Sequence, residues 1–415
     1  MESKHQFLIT HCQRGEKRGI LSAILENGTV AELFLEPEEN PSLLGNIYIG
    51  KVKNLAPQLE AAFVEVVPGM ICYYSLQENP QPLVVSRRHQ DAKKPLVEGD
   101  EILVQVSREA LKTKFPAVTS NLNFPGKYLV LTSQHASLGI SAKLPQPERH
   151  RLRELLAPLW DGSFGLIART NAAGVKAELL EAELARLKET YAKVMEKAKT
   201  RTCFSLLSCP EPSFLSALRQ IPKDNLSEIL TDEQKLYDDL QVYLKASQPE
   251  DLEKLKLYQD RLQPLSKCYS LEKALEEGLR ERVWLKSGGY LVIQPTEALT
   301  VVDVNTGKFE GGKKKQQTFR KINQEAAREA ARQLRLRNLS GIILIDFIDM
   351  EKREDRQELM EFLAQELKRD PVKTVLVDMT KLNLVELTRK KVRKSLAEQW
   401  EDLAGSCKNG DCLLK

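Results

Sequence analysis

At 415 residues the chain is long enough for two to four domains with buried cores, and its apolar (42%) and charged (29%) fractions are those of a soluble globular protein. No run approaches the roughly 18 apolar residues of a membrane span, and the N-terminus is charged before turning strand-like, which excludes a signal peptide and makes the cytoplasm the expected location. A net charge of +4 identifies no nucleic-acid partner by itself; its distribution says more, with basic clusters at 313–315, 332–337 and 389–394 that would matter if they flanked a carboxylate site.

Residues 6–36 read as short strands with Asn27-Gly28 as a turn. From 46 to about 122 the pattern stays all-β. Segments 47–55, 61–67, 71–74 and 102–106 are β-branched or aromatic and are separated by turn formers, which suits a small barrel of the oligonucleotide-binding type. The proline- and charge-containing stretch 77–99 reads as a loop within it. Strands are then expected at 128–132 and 165–168, helices at 148–156 and 177–199, and alternating helices and short strands over 210–283. Beyond that, strands 289–293, 299–304, 341–347 and 373–377 alternate with helices 318–336, 353–367 and 383–400, the pattern of an α/β domain. There is no internal repeat.

Seven scattered cysteines, an odd number, give no disulfide framework. Only Cys407 and Cys412 approach metal spacing, with no second pair beside them; two free thiols in a tail is the simpler reading.

Two segments carry chemistry. In Thr300-Val301-Val302-Asp303-Val304-Asn305-Thr306-Gly307, strand alternation points Asp303 and Asn305 to one face, and the following glycine marks the strand end, where sites in α/β domains gather. Gly341-Ile342-Ile343-Leu344-Ile345-Asp346-Phe347-Ile348-Asp349-Met350 is an apolar strand interrupted by one carboxylate, which must meet a cation or sit at the strand end. If the strands are neighbours, three hard oxygen ligands converge, a set that suits Mg²⁺. The competing reading has each Asp capping a turn or pairing with an arginine of 332–337, and Asp349 capping the helix that follows.

At these segments the sequence resembles a known family. Ser287-Gly288-Gly289, Thr296-Glu297-Ala298-Leu299-Thr300, Asp303-Val304-Asn305, Arg332-Gln333-Leu334-Arg335-Leu336-Arg337 and Ile345-Asp346-Phe347-Ile348-Asp349-Met350 resemble the catalytic core of the bacterial ribonuclease E/G family, in its short ribonuclease G-like form. Asn46-Ile47-Tyr48-Ile49-Gly50-Lys51-Val52 and Leu59-Glu60-Ala61-Ala62-Phe63-Val64 are similar to its S1-type RNA-binding domain, and the motifs run in family order to about Leu396.

The resemblance implies an α/β multidomain fold. A ribonuclease H-like domain (1–44 and 210–283) would be split around an S1-type barrel (45–122) and a 5′-sensor region (123–209), followed by a DNase I-like catalytic domain (284–400) and a degenerate zinc-link tail (401–415). It implies a Mg²⁺-dependent endoribonuclease of RNA processing and decay, including rRNA maturation. Such an enzyme cuts single-stranded AU-rich RNA by metal-activated water attack, favours 5′-monophosphorylated substrates and leaves a 5′-phosphate.

Asp303 and Asp346 would hold the metal, with Asn305 supporting Asp303 or the scissile phosphate. Phe63, Tyr73, Lys114 and Lys381 fall on RNA contacts, the aromatics by stacking on bases. Gly126, Val130, Arg169 and Thr170 fall on the 5′-phosphate pocket, where a guanidinium grips phosphate bidentately. Lys381 replaces a family arginine, and Leu382-Asn383 replaces the usual Phe-Gly. The family's Cys-Pro-x-Cys zinc pair meets Ala404 and Cys407 here, so neither zinc nor a zinc-linked dimer is expected, although another oligomer is allowed. The alternative function is a non-catalytic RNA-binding protein; a DNA nuclease fits the barrel and sensor less well.

Overall fold

Three long strands open the chain: β1 (His5–Arg14), β2 (Lys17–Glu26) and β3 (Thr29–Pro37), joined as antiparallel hairpins. Asn27 (φ +50°) and Gly28 (φ +77°) form the two-residue turn between β2 and β3. Two consecutive left-handed residues match the twist of the flanking strands, and Asn-Gly tolerates them at least cost. The computed structural model describes residues 4–38, 42–86, 95–109, 115–222, 225–260, 262–307 and 315–404. It divides into two compact units, one made of Met1–Asn40 with Asp224–Lys415 and the other of Pro41–Lys223.

In the inserted unit, β4 (Ile47–Ala56), β5 (Ala61–Val67), β6 (Met70–Ser75), β7 (Leu83–Ser86), β8 (Glu101–Arg108) and β9 (Ala117–Thr119) form one sheet. Pairing of β4 with both β5 and β8 closes a five-stranded ring, β4-β5-β6-β9-β8. Val52, Val64, Val66, Tyr74, Ile102, Val104 and Val118 fill it. β7 lies inside the stretch expected to be a loop: Leu83-Val84-Val85 is apolar enough to add to the edge of β8 despite its charged surroundings.

A second sheet of four short strands follows: β10 (Asn123–Pro125), β11 (Leu129–Thr132), β12 (Leu138–Ile140) and β13 (Gly165–Ala168), in the order β10-β11-β13-β12. It packs with α1 (Gln146–Leu156) and α2 (Ala177–Thr200) around Leu129, Leu131, Leu152, Leu166, Leu180 and Leu184. β14 (Leu206–Ser208) and α3 (Ser213–Gln220) complete this unit.

Back in the first unit, β15 (Leu226–Thr231) pairs parallel with β1, and after α4 (Gln234–Ser247), β16 (Leu255–Leu257) extends a sheet of order β16-β15-β1-β2-β3. Helices α5 (Leu265–Cys268) and α6 (Leu271–Leu279) cover it. Then come β17 (Arg282–Trp284), β18 (Tyr290–Pro295), β19 (Leu299–Asn305), α7 (Lys315–Leu336), β20 (Gly341–Asp346), α8 (Arg353–Leu367), β21 (Thr374–Met379), β22 (Leu384–Arg389) and α9 (Leu396–Ala404).

These six strands make a sheet of order β17-β18-β19-β20-β22-β21. One face, with Leu291, Val302, Val304, Ile343, Ile345 and Leu387, is buried with α7 and α8. The alanines Ala326, Ala327, Ala330 and Ala331 line the buried side of α7.

A second expected element is also corrected. Residues 383–400 are not a single helix but β22 followed by α9. Leu384 to Arg389 alternates buried and open positions, a period of two, and antiparallel pairing on both sides satisfies its backbone. The helix starts after Ser395, whose Oγ accepts from the Glu398 backbone N–H (3.3 Å) while the Glu398 carboxylate accepts from the Ser395 N–H (2.6 Å), a capping box. Among the described residues no helix is long and apolar enough to cross a membrane.

Candidate active site

β19 and β20 lie parallel, and their register sets Asp303 opposite Asp346. Neighbouring strands are about 5 Å apart, and paired residues share a face, so two carboxylates stand side by side at the strand ends. The buried neighbours Val302, Val304, Ile343 and Ile345 anchor the opposite face, which turns both acids toward solvent. Asn305 Nδ2 donates to Asp303 Oδ2 at 2.6 Å. The amide thus holds Asp303 in place, rather than adding a third ligand as strand alternation alone suggested. Desolvation against the sheet, followed by the charges of Asp303 and Asp349, pushes the Asp346 carboxyl above its ordinary range. Like charges crowded together in this way call for a cation.

Four contacts fix the loops around the pair. Asn323, fully buried on α7, donates to the Ile348 carbonyl (2.7 Å) and accepts from its N–H (3.0 Å), clamping the segment after Asp346. Its signal was an amide among the alanines of a buried helix face. Glu325 accepts from the Lys286 and Ser287 N–H groups at the β17–β18 turn. That turn abuts the end of β19: a Cβ on Gly289 would come within 2.7 Å of the Asn305 carbonyl. This is why the Ser-Gly-Gly motif admits no side chain there.

Asp349 is not the cap of the following helix. α8 begins four residues later at Arg353, behind Lys352, with no side-chain cap, and Asp349 instead accepts from Asn383 Nδ2 at 3.1 Å. Asn383 has φ +64°, a left-handed position that glycine or asparagine takes most easily. The bond ties the β21–β22 turn, with exposed Lys381, to the segment after β20.

The arginines of the 332–337 and 389–394 clusters pair away from the acids. Arg332 binds Glu329 and Glu277, Arg335 binds Glu26, and Arg337 donates to Gln333 and the Glu277 carbonyl. Arg389 is buried against Asp370 (2.6 Å), and Arg393 lies over the Phe34 ring and 3.7 Å from Glu32. These arginines join α7, β22 and the segment after it to the rest of their own unit. Lys313 and Lys314 lie outside the described residues. No group of three or more His, Cys, Asp or Glu gathers at metal distance among the described residues. From the described residues a cation at the pair would have two carboxylates, leaving positions for water and phosphate, a set that suits Mg²⁺.

On the barrel, Phe63 and Tyr73 are cross-strand partners on its outside, with ring centroids 6.4 Å apart. Phe63 is therefore not a core aromatic. Phe115, 53% exposed, packs edge-on to it at 5.7 Å. Sequence reading missed Phe115, although an aromatic in a lysine-containing loop was the available signal. Lys114 lies outside the described residues.

In the four-stranded region, Arg169 Nη1 donates to the Gly126 carbonyl (2.6 Å), while Thr170 and Ser141 share a hydroxyl contact of 3.1 Å. Val130 is half-buried on β11 opposite Ile167. Beneath them lies Glu183, which sequence reading passed over as part of an ordinary amphipathic helix. Its buried carboxylate accepts the N–H groups of Lys127, Tyr128 and Leu129 at 2.7–2.8 Å. A Cβ on Gly126 would fall 2.6 Å from that carboxyl group, which explains the glycine.

Ala404 is the exposed last residue of α9; Cys407 and Cys412 lie outside the described residues.

Residues 123–392 match the family model described as Ribonuclease E/G family. The chain is 35% identical over 382 residues to Ribonuclease G of Escherichia coli, covering 90% of this chain and 78% of that protein. It is 34% identical over 398 residues to Ribonuclease G of Haemophilus influenzae, covering 93% and 80%. It is 32% identical over 392 residues to Ribonuclease E of Nostoc sp., covering 93% of this chain and 56% of that protein. The in-register acids, the closed barrel and these likenesses agree: the chain belongs to the ribonuclease E/G family, in its ribonuclease G-like form.

Proposed function

We propose that the protein is a Mg²⁺-dependent endoribonuclease of RNA processing and decay that cuts single-stranded, AU-rich RNA. The observation that carries this reading is the pairing of Asp303 with Asp346 across β19 and β20. Two adjacent carboxylates with Asn305 holding one of them fit a hard divalent cation that keeps water and phosphate ligands. When bound, Mg²⁺ would supply charge neutralisation at the scissile phosphate and activation of water.

The chain's own residues do the remainder. Asn305 keeps Asp303 oriented, and Asn323 fixes the segment behind Asp346. Lys381 offers a cation at the β21–β22 turn, a point charge without the bidentate fork of arginine. Phe63, Tyr73 and Phe115 offer π-faces for unpaired bases, and Lys114 belongs to the same proposed surface. Arg169 and Thr170, with Gly126 and Val130, form the proposed 5′-monophosphate pocket, which Glu183 holds from below.

We further assign the sheet of β1, β2, β3, β15 and β16 to a split ribonuclease H-like domain (1–44, 210–283), and the six-stranded sheet to a DNase I-like domain (284–400). The barrel (45–122) and sensor region (123–209) lie between, and the segment 401–415 is assigned as a degenerate zinc-link tail. The cytoplasm, where transcripts are made and matured, is the proposed place of action.

The test is to incubate 5′-monophosphorylated and 5′-triphosphorylated AU-rich RNA with the wild-type, Asp303→Asn, Asp346→Asn and Arg169→Ala proteins, with Mg²⁺ or EDTA, and to map product ends. Internal cuts with 5′-phosphate ends, lost in either Asp variant and in EDTA while RNA is still bound, are expected. Arg169→Ala should lose only the preference between 5′ ends. Cutting at wild-type rate by both Asp variants would end the proposal.

A further inference from the structure

The sheet that carries the two acids has a second feature on the same face. Trp284 on β17 pairs with Tyr290 on β18, and Tyr290 pairs with Asn305 on β19. One step along, Arg282 pairs with Val292, Val292 with Asp303, and Asp303 with Asp346. Laterally paired residues stand on one face of a sheet, so Trp284, Tyr290 and Arg282 share the surface on which the carboxylates lie. Two strand spacings, about 10 Å, separate β17 from β19.

The three side chains form a unit. The Trp284 and Tyr290 rings are 5.1 Å apart at 58°. The Arg282 guanidinium lies 4.5 Å from the Tyr290 centroid and 5.8 Å from that of Trp284. Trp284 is nevertheless 64% exposed, at the free edge of the sheet. Core packing does not account for an indole held against its neighbours and left mostly in water. Its order does have a use: a ring already braced by Tyr290 and Arg282 loses little rotamer freedom when a ligand stacks on it. The unit joins a π-surface to a positive charge, the two elements that hold unpaired nucleotides without reading their sequence.

We propose that Trp284, Tyr290 and Arg282 form a base-stacking subsite for a nucleotide that flanks the scissile phosphate. The inference rests on the reading of Asp303 and Asp346 as the cutting centre and adds the path the strand takes away from it. Trp284 supplies the stacking face, Tyr290 backs it, and Arg282 meets the adjoining phosphate. Because every base presents a π-face, this subsite raises affinity without selecting sequence.

The test uses the full chain and a single-stranded adenine- and uracil-containing oligoribonucleotide, with binding measured in EDTA and cleavage in Mg²⁺. Trp284→Ala should weaken binding about five- to a hundredfold, the loss falling on Kd and KM. Trp284→Phe should recover most of it, and Arg282→Glu should weaken binding and make its salt dependence shallower. Quenching of tryptophan fluorescence by the oligonucleotide should be larger in the wild type than in Trp284→Phe. Trimming the oligonucleotide from one end should make Trp284→Ala and wild type equal once the flanking nucleotide is gone.

Equal Kd and KM for Trp284→Ala and wild type on the full-length oligonucleotide overturns the proposal. So does a change confined to oligomeric state, which would make the edge a contact between copies of the chain. Weakened binding by Trp284→Ala in EDTA supports the subsite even if the wild type cut no RNA, so the two readings fail separately.

Discussion

The two sides of the unit made of Met1–Asn40 with Asp224–Lys415 handle carboxylates in opposite ways. Away from the open sheet face, several acids meet bases: Glu26 with Arg335, Asp370 with Arg389, and Glu32 near Arg393. At the ends of β19 and β20, Asp303 meets Asp346, and its close partner is a neutral amide. Opposite charges brought together join elements of a fold. Like charges brought together cost stability and persist only where something else, here the proposed cation, gains from them. The comparison explains why the arginines of 332–337, the most basic stretch of α7, are architecture, while a pair of acids in a hydrophobic strand region is the candidate for chemistry.

One substitution on each side of the unit tests this difference. Arg389→Met should have the largest effect on folding, a loss of about 3–5 kcal/mol in chemical denaturation, because Asp370 would remain buried without its guanidinium. A loss below about 1 kcal/mol would mean that the pair contributes little. Asn305→Ala, on the other side, should leave the melting temperature nearly unchanged yet lower cleavage about 10- to 100-fold and raise the Mg²⁺ concentration needed, as for partners that orient metal ligands. Unchanged Mg²⁺ dependence would remove Asn305 from that role.

The smallest effect is a difference in sign with pH. Burial opposes ionisation of Glu26, but the Arg335 hydrogen bond and charge outweigh it and hold its carboxyl below the ordinary 4.5. A folded-state value below the unfolded one stabilises at neutral pH, and that stability is lost as pH falls below about 4.5. Asp346 lies above its ordinary 3.8, so the folded state binds that proton more tightly and the ionised carboxylate destabilises at neutral pH. Wild type should therefore lose its advantage over Glu26→Gln on acidification, and gain on Asp346→Asn just above pH 3.8. At neutral pH without metal, Asp346→Asn should melt slightly higher than wild type, and Mg²⁺ should raise the melting temperature of the wild type alone. Parallel pH curves for the two variants would show that the acids are not treated differently.

Much of the fold was legible because side-chain period is a local property. The strands Ala61–Val67 and Gly165–Ala168 and the helix Arg353–Leu367 stand where alternation and helical spacing put them. β22 was not legible in this way. Leu384-Val385-Glu386-Leu387 suits either period, and pairing with β20 and β21 decides it. β7 was hidden by composition, since its few apolar residues are strand only because β8 offers an edge.

The site shows the same division. Its acids announced themselves, since an aspartate in an apolar strand has few inexpensive fates. The supports were harder to see: Asn323, Glu325 and Glu183 act on backbone groups 25 to 56 residues away in sequence, and only Asn323, an amide on an alanine-lined face, carried a local mark. Sequence alone determined which residues alternate, which faces are apolar and which carboxylates are out of place. Tertiary structure decided register, and with it that Asp303 faces Asp346, that Arg335 is spent on Glu26, and that Trp284 shares a surface with the acids. The reason is that alternation is fixed by neighbours along the chain, whereas register, burial and charge pairing depend on which distant segment arrives alongside.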